Sequence, residues 1–286
     1  MTNLKTLTTL PIAVKKTGLL ILFLFSSAVL AQNRPLKTEF ANTVEKGKVR
    51  FELGFDFLQE AKFQLSGLEG DLTRIGVLGL RFGAGENVEI HFDWTAQNVL
   101  NVDERFDAPN SGILDFAGDS TNDFGDLILA TKIRLLGEKE RRPALGFRFA
   151  AELPNASNES GLGNDQTNFY AGFLLEKEIF RLRLVGNVGF AILGDPTKVS
   201  SQKDLVTYGM AAICPVSPQI SVFADLNGRA GSGGIGTEEQ SILRIGGQVN
   251  ALGVRWDIGF LAGLYDTDPS TGVMVGLSHD FNLPSF

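Results

Sequence analysis

Little in this chain is arranged for covalent or metal chemistry. His91 and His279 are the only histidines, and they fall on opposite faces of two distant alternating segments, so a histidine-based metal site is not expected. Asp103, Glu104, Asp107, Asp115 and Asp119 crowd one connection, and Asp266 and Asp268 another. Such oxygens suit calcium, but their spacing matches no calcium loop, and a solvated acidic surface is the plainer reading. Gly231, Gly233, Gly234 and Gly236 lack the following helix that a phosphate-binding loop requires. No catalytic residue, metal or cofactor is therefore assigned. What remains is a set of charges, most of them at every second position of alternating segments: Arg50, Glu52, Asp56, Arg81, Glu89, His91, Asp93, Asp126, Lys132, Arg148, Glu152, Arg181, Arg183, Arg244, Arg255 and Asp257. Both signs are represented, as in a wall facing water or pairing with itself across a narrow space. Ion pairs that merely fill that space and a path for small solutes are equally compatible with this pattern.

The segments that carry these charges read as strands, because side chains of a strand alternate between two faces. Val88, Ile90, Phe92, Trp94 and Ala96 are apolar while Glu89, His91, Asp93 and Thr95 between them are polar. From Lys48, Val49, Phe51, Leu53, Phe55 and Phe57 oppose Arg50, Glu52 and Asp56. A run from about 71 to 82 is less regular, with Arg74 interrupting its apolar face. Further runs follow at about 124–135, 144–153, 166–177, 180–192, 204–214, 219–229, 239–249, 252–265 and 272–281, twelve in all. The pair 167–192 forms a hairpin with a turn at Lys177 to Ile179. Most runs exceed the roughly 5 to 6 residues usual in soluble sheets and meet the roughly 9 to 11 that a membrane-spanning strand needs.

The connections alternate in length. Short ones lie at 83–87, 136–143, 177–179, 215–218 and 250–251, and long ones at about 60–70, 98–121, 154–165, 193–203, 230–238 and 266–271. A sandwich has no reason to sort its loops in this way, whereas outer-membrane barrels have short periplasmic turns and longer outer loops on an even number of strands. The expectation is an all-β fold: a single 12-stranded antiparallel transmembrane barrel of the outer membrane over 48–286, apolar residues toward lipid and charges inward. Phe281 closes the last alternating run and is the candidate assembly signal for the barrel-assembly machinery; Phe286 lies beyond Pro284.

Residues 1–31 read as a secretory signal peptide: Lys5, Lys15 and Lys16 precede the apolar run Gly18 to Phe25, and small residues end at Ala31. That run is shorter than the roughly 20 residues of a helical span. Its removal takes the net charge from −7 to −10 by loss of three lysines, which disfavours nucleic acid as a partner. Residues 32–47 show no periodicity and fit either a periplasmic lead-in or a short plug. Cys214 is the only cysteine, so no internal disulfide holds the fold, and it reads as a small apolar strand residue.

At Asp123-Phe124-Gly125-Asp126-Leu127, Lys132, Pro154, Gly161-Leu162-Gly163 and Asn187-Val188-Gly189-Phe190, the chain resembles the outer-membrane transporter family of the MetA-pathway-of-phenol-degradation type. The likeness runs from Glu45-Lys46-Gly47 to Phe281. It departs at Asn155-Ala156, where relatives often carry threonine-glycine. The resemblance implies a barrel in the outer membrane of a Gram-negative-type bacterium that moves small, aromatic or hydrophobic molecules, with no catalytic residues to carry over. Outer-membrane lipid and a small-molecule substrate of unknown identity are the implied partners. A non-transporting structural or surface-binding barrel that works through its loops is the alternative, and a secreted soluble β protein the third reading. An outer-membrane phospholipase also uses twelve strands, but it needs a histidine and a serine on one outer face. Ser278 and His279 are adjacent and so point apart.

Overall fold

The computed structural model describes residues 34–283. The expected signal peptide and the Phe286 alternative lie outside the described residues. Thirteen strands follow in order: β1 (Lys48–Phe63), β2 (Leu68–Gly85), β3 (Val88–Arg105), β4 (Ser120–Asp123), β5 (Leu127–Leu136), β6 (Ala144–Leu153), β7 (Asn168–Ile179), β8 (Leu182–Gly194), β9 (Gln202–Pro215), β10 (Ile220–Gly231), β11 (Gln240–Ala251), β12 (Val254–Gly263) and β13 (Thr271–Asn282). Strands adjacent in sequence pair antiparallel, except that β5 pairs with β3 and not with β4, and β1 pairs with β13 from Lys48↔Asn282 to Gln59↔Thr271. The sheet therefore closes on itself. β4 and β5 both lie against β3, at Asn98–Asn101 and Val88–Asp93 respectively, and share one place in the ring. The result is a closed twelve-stranded antiparallel barrel. One expected run, 124–135, is thus shorter and offset: its first residues, 124–126, break the ladder, and only Gly125 N–H donates across to Thr95 O at 2.8 Å.

The wall follows the alternation. Along β7 and β8, Phe169, Phe173, Leu175, Leu184, Val188 and Phe190 are exposed on the outside, while Asn168, Leu174, Glu176, Val185 and Ala191 are buried inside. An apolar outer surface on a ring with a polar interior is the arrangement that lets strands cross lipid with every backbone group paired. β2 breaks the pattern for a local reason. Its register with β1 steps from Gly54↔Val77 to Phe55↔Ile75 and leaves Gly76 unpaired at φ +66°. This bulge reverses the parity of the strand: Arg81 faces inward below it and Leu72 and Arg74 above it, with Leu80 and Ile75 outside.

Two boundaries differ from the sequence reading. β1 and β2 run on into the expected 60–70 loop and leave only a four-residue turn at 64–67, and β3 continues to Arg105 into the expected 98–121 loop. These strands have the polar outer positions of loops but pair in a hairpin that overshoots the rest of the barrel. In the β7–β8 hairpin, Glu178 and Ile179 still pair with Arg183 and Leu182, so the turn is Phe180–Arg181 and not 177–179.

The interior is zoned. At the loop end, Leu58, Leu68, Leu72, Leu100, Leu261 and Met274 form an apolar cluster, against which Leu114, Phe116 and Leu162 of the loops pack. At the turn end, Val185, Ala211, Ile213 and Phe223 form a second apolar patch on the inner face of β8–β10. The charges occupy the band between and beside these patches.

Candidate functional site

The charged band is positioned by register. Directly opposite residues of neighbouring strands share a face, so Glu89↔Lys132↔Arg148 is a row across β3, β5 and β6, and Asp280↔Arg50↔Arg81 a row across β13, β1 and β2. Lys132 Nζ lies 3.0 Å from Glu89, whose other neighbour is His91 Nε2. Arg50 makes a two-pronged contact with Asp280 at 2.6 and 2.8 Å, and Arg81 bridges Asp93 at 2.6 Å and Glu52 at 3.5 Å. Arg244 sits 3.7 Å from its cross-strand partner Asp225, and Arg183 contacts Glu176 and Glu178.

Residues 34–47 complete the band. They run as a belt along the inner circumference and touch a residue of every position in the ring. Val44 N–H donates to Glu89, Asn42 N–H to Glu176 at 3.1 Å, and Glu39 N–H to Asn187 at 2.7 Å, which returns a bond to Glu39 O at 2.8 Å. Lys37 N–H, Thr38 N–H and the Thr38 hydroxyl all donate to Asp225. Gln248 donates to Arg34 O at 2.9 Å. Wall carboxylates and amides thus take the place of the missing ladder for an extended backbone, which satisfies groups that would otherwise be buried unpaired.

Side-chain charge follows the same plan. Glu39 stands among His91, Lys132 and Arg148 at 3.9, 3.9 and 3.6 Å, and Arg34 between Asp56 and Asp257 at 3.4 and 3.7 Å. The belt presents an anion to a basic sector and a cation to an acidic one. Room for it is left by glycines: Gly54 and Gly276 face each other across β1 and β13, and a Cβ on either would overlap the Arg34 side chain. A Cβ at Gly209 would approach Thr38 Oγ1 to 2.7 Å, and one at Gly146 would approach Ala41 to 3.1 Å. Leu36 and Phe40 fill the turn-end apolar patch on β8–β10.

Of the sixteen expected lining residues, Arg50, Glu52, Asp56, Arg81, Glu89, His91, Asp93, Lys132, Arg148, Glu152, Arg183, Arg244, Arg255 and Asp257 lie on the inner face, and most are buried against one another and the belt. Two do not line the interior. Arg181 is exposed in the turn, because the strand continues two residues further than its polarity suggested. Asp126 sits at the loop end, where it accepts the N–H groups of Asn155 and Ala156 at 2.8 and 3.0 Å and so fixes the loop after β6. Asp268 has a similar task, accepting the Ser241 N–H at 3.0 Å. Asp225 and Asn187, inward positions by the alternation of their strands, complete the site with Arg34, Lys37 and Glu39, which were absent from the expected set. The belt residues carry no periodic signal. Phe281, the expected assembly aromatic, is half-exposed at the end of β13, its ring 4.5 Å from that of His279. His279 lies within bonding distance of Gly253 O, and the neighbouring Ser278 is buried on the other face.

Above the belt, toward the loops, lies an open cavity of about 260 Å³. Lys37, Glu39, Arg148, Tyr170, Asn227 and Arg229 contribute to its lining.

A closed barrel with an apolar outer band, an ion-paired interior and an inner belt defines an outer-membrane β-barrel. The chain belongs to the family described as "Putative MetA-pathway of phenol degradation", whose model matches residues 32–281 and thus includes the belt. Comparison with solved structures finds similarity to the COG4313 outer membrane channel from Pseudomonas putida F1, with a TM-score of 0.62 and 14% identity over 84% of this chain and 98% of that one. The translocator domain of autotransporter NalP from Neisseria meningitidis has a TM-score of 0.48 and 12% identity over 84% and 91%. The P. putida toluene transporter TodX has a TM-score of 0.42 and 8% identity over 85% and 92%. A search of curated proteins gives no match.

Proposed function

We propose that this protein is a channel for small molecules in the outer membrane of a Gram-negative bacterium, with an interior narrowed by its own N-terminal belt. The observation that carries this reading is the belt's mode of attachment: it is held to the wall by hydrogen bonds, ion pairs and two small apolar patches. No residue of the wall is replaced by it, and the barrel ladder closes without it. Twelve strands enclose more space than the eight whose interior side chains fill, and less than the sixteen to eighteen of open porins. A removable belt in a ring of that size gives two states, narrow and wide. The family and the fold of the channel from P. putida support the reading. Turns would face the periplasm and loops the exterior, as is general for such barrels.

Liposome swelling and planar-bilayer recordings on the purified protein test it. Small sugars or ions should pass through the wild type, and deletion of residues 34–44 should raise conductance several-fold, on the order of the gain in open cross-section. A protein that stays sealed in both forms would overturn the reading.

A further inference from the structure

We propose that the cavity above the belt is a binding site for a small organic anion, a single-ring carboxylate in size and charge, which bridges Lys37 of the belt to Arg229 of the wall. The inference rests on the channel reading and names the class of molecule its interior would hold. Most inner-face cations lie within 4.0 Å of a carboxylate; among the described residues Lys37, Arg74, Arg229 and Arg255 do not, and of these four Lys37 and Arg229 line the cavity. Lys37 is anchored through its backbone to Asp225, while its side chain stays exposed within the lumen. The Arg229 guanidinium donates from Nε to Glu238 O at 2.7 Å, which fixes it and leaves its terminal nitrogens for another acceptor. Arg148 adds a third positive charge. Glu39 is the only carboxylate in the lining, and it is already shared with His91, Lys132 and Arg148.

The uncharged lining sets the rest of the ligand. The Tyr170 ring faces the same space and is held by donation of its hydroxyl to Glu152 at 2.7 Å, so it offers a flat apolar surface. Asn227 is tied to Arg244. A volume of about 260 Å³ lies just below the roughly 300 to 1,000 Å³ of sites for drug-sized ligands, which suits one ring with a short acidic group. A carboxylate between an ammonium and a guanidinium makes charge-assisted bonds, among the stronger kinds available to a small ligand. Because one cation belongs to the belt and the other to the wall, occupancy ties the two together.

Benzoate and its neutral twin benzamide are the probes, titrated calorimetrically into the full chain in detergent. One benzoate should bind per barrel, and benzamide should not bind detectably. Lys37→Gln and Arg229→Gln should each weaken benzoate by about tenfold or more, Lys37→Arg should keep most of the affinity, and Arg181→Gln, which removes a charge from the exposed turn, should change nothing. Equal binding of benzamide, an unchanged titration in both neutralised variants, or no binding of benzoate would overturn the site. Swelling assays on the same preparations keep the two readings separate. Permeability without benzoate binding removes the site alone, and benzoate binding to a sealed protein removes the channel reading and leaves the site.

Discussion

Glu39 shows how one side chain can hold a segment in place. Its carboxylate answers two cations, Lys132 and Arg148, and the His91 ring, from three strands, and Glu39→Gln would leave that basic sector facing a neutral amide. Loss of one member of a buried cluster costs about 3 to 5 kcal/mol, and the 3.6 to 3.9 Å separations with partial exposure reduce this to roughly 2 kcal/mol. The expected outcome is a belt that leaves the wall more often, seen as a higher open probability in planar bilayers. A second residue-scale expectation concerns the turn between β5 and β6. Burial pushes the Glu138 carboxyl up, but bonds from Lys177 Nζ at 2.8 Å and Glu178 N–H at 3.0 Å outweigh it and hold the pKa below the usual carboxylate value. A lowered folded-state pKa stabilises above the unfolded value and is lost as pH falls through the folded one. The tie between this turn and β7 should therefore persist through neutral pH and release below the ordinary glutamate range near ~4.3. Hydrogen exchange at Glu178 N–H should show the step, and Glu138→Gln should abolish it.

Among the elements, the belt and the glycines under it make the clearest test of attachment. Gly54→Val places a branched side chain where Arg34 lies, because the three atoms nearest to a Cβ built there all belong to the Arg34 guanidinium, and a strand position accepts valine. The barrel should still form, with conductance raised toward that of the belt deletion; wild-type conductance would show that Arg34 simply moves aside. Elements also show what was legible in advance. The strands could be read because lipid outside and charge inside impose a period of two on nearly every spanning segment. Gly76 is the instructive failure. A single unpaired residue reverses the parity of β2, so Arg74 looked like a flaw in an apolar face when it was an inward residue on the far side of a bulge. The belt was illegible for the opposite reason. Its backbone bonds go to carboxylates on many strands, and no spacing within 34–47 records them. Arg181 was misplaced because alternation continues through a tight turn and cannot show where the chain reverses.

For the whole molecule, closure is the property from which the rest follows. Lys48 and Asn282 are paired at the rim of the β1–β13 seam. With Cys214→Ser removing the native thiol, Lys48→Cys and Asn282→Cys should form a disulfide spontaneously and yield a circular-like species of altered gel mobility under non-reducing conditions. Failure to cross-link would show an open seam. The zoned interior, with an apolar patch at each end and charges between and beside them, was not expected from a sequence that looks uniformly amphipathic. Inward-facing leucines and valines are legible only once the parity of each strand is known along its full length.

The belt gathers its partners from both sides of the seam, Gly54 and Asp56 on one strand and Gly276 on the other. No partly built sheet could offer that full set of contacts. Maturation should accordingly have two stages, in which the newly inserted cylinder is leaky until its leading residues settle, and cells that export it quickly would pass through a brief window of heightened permeability.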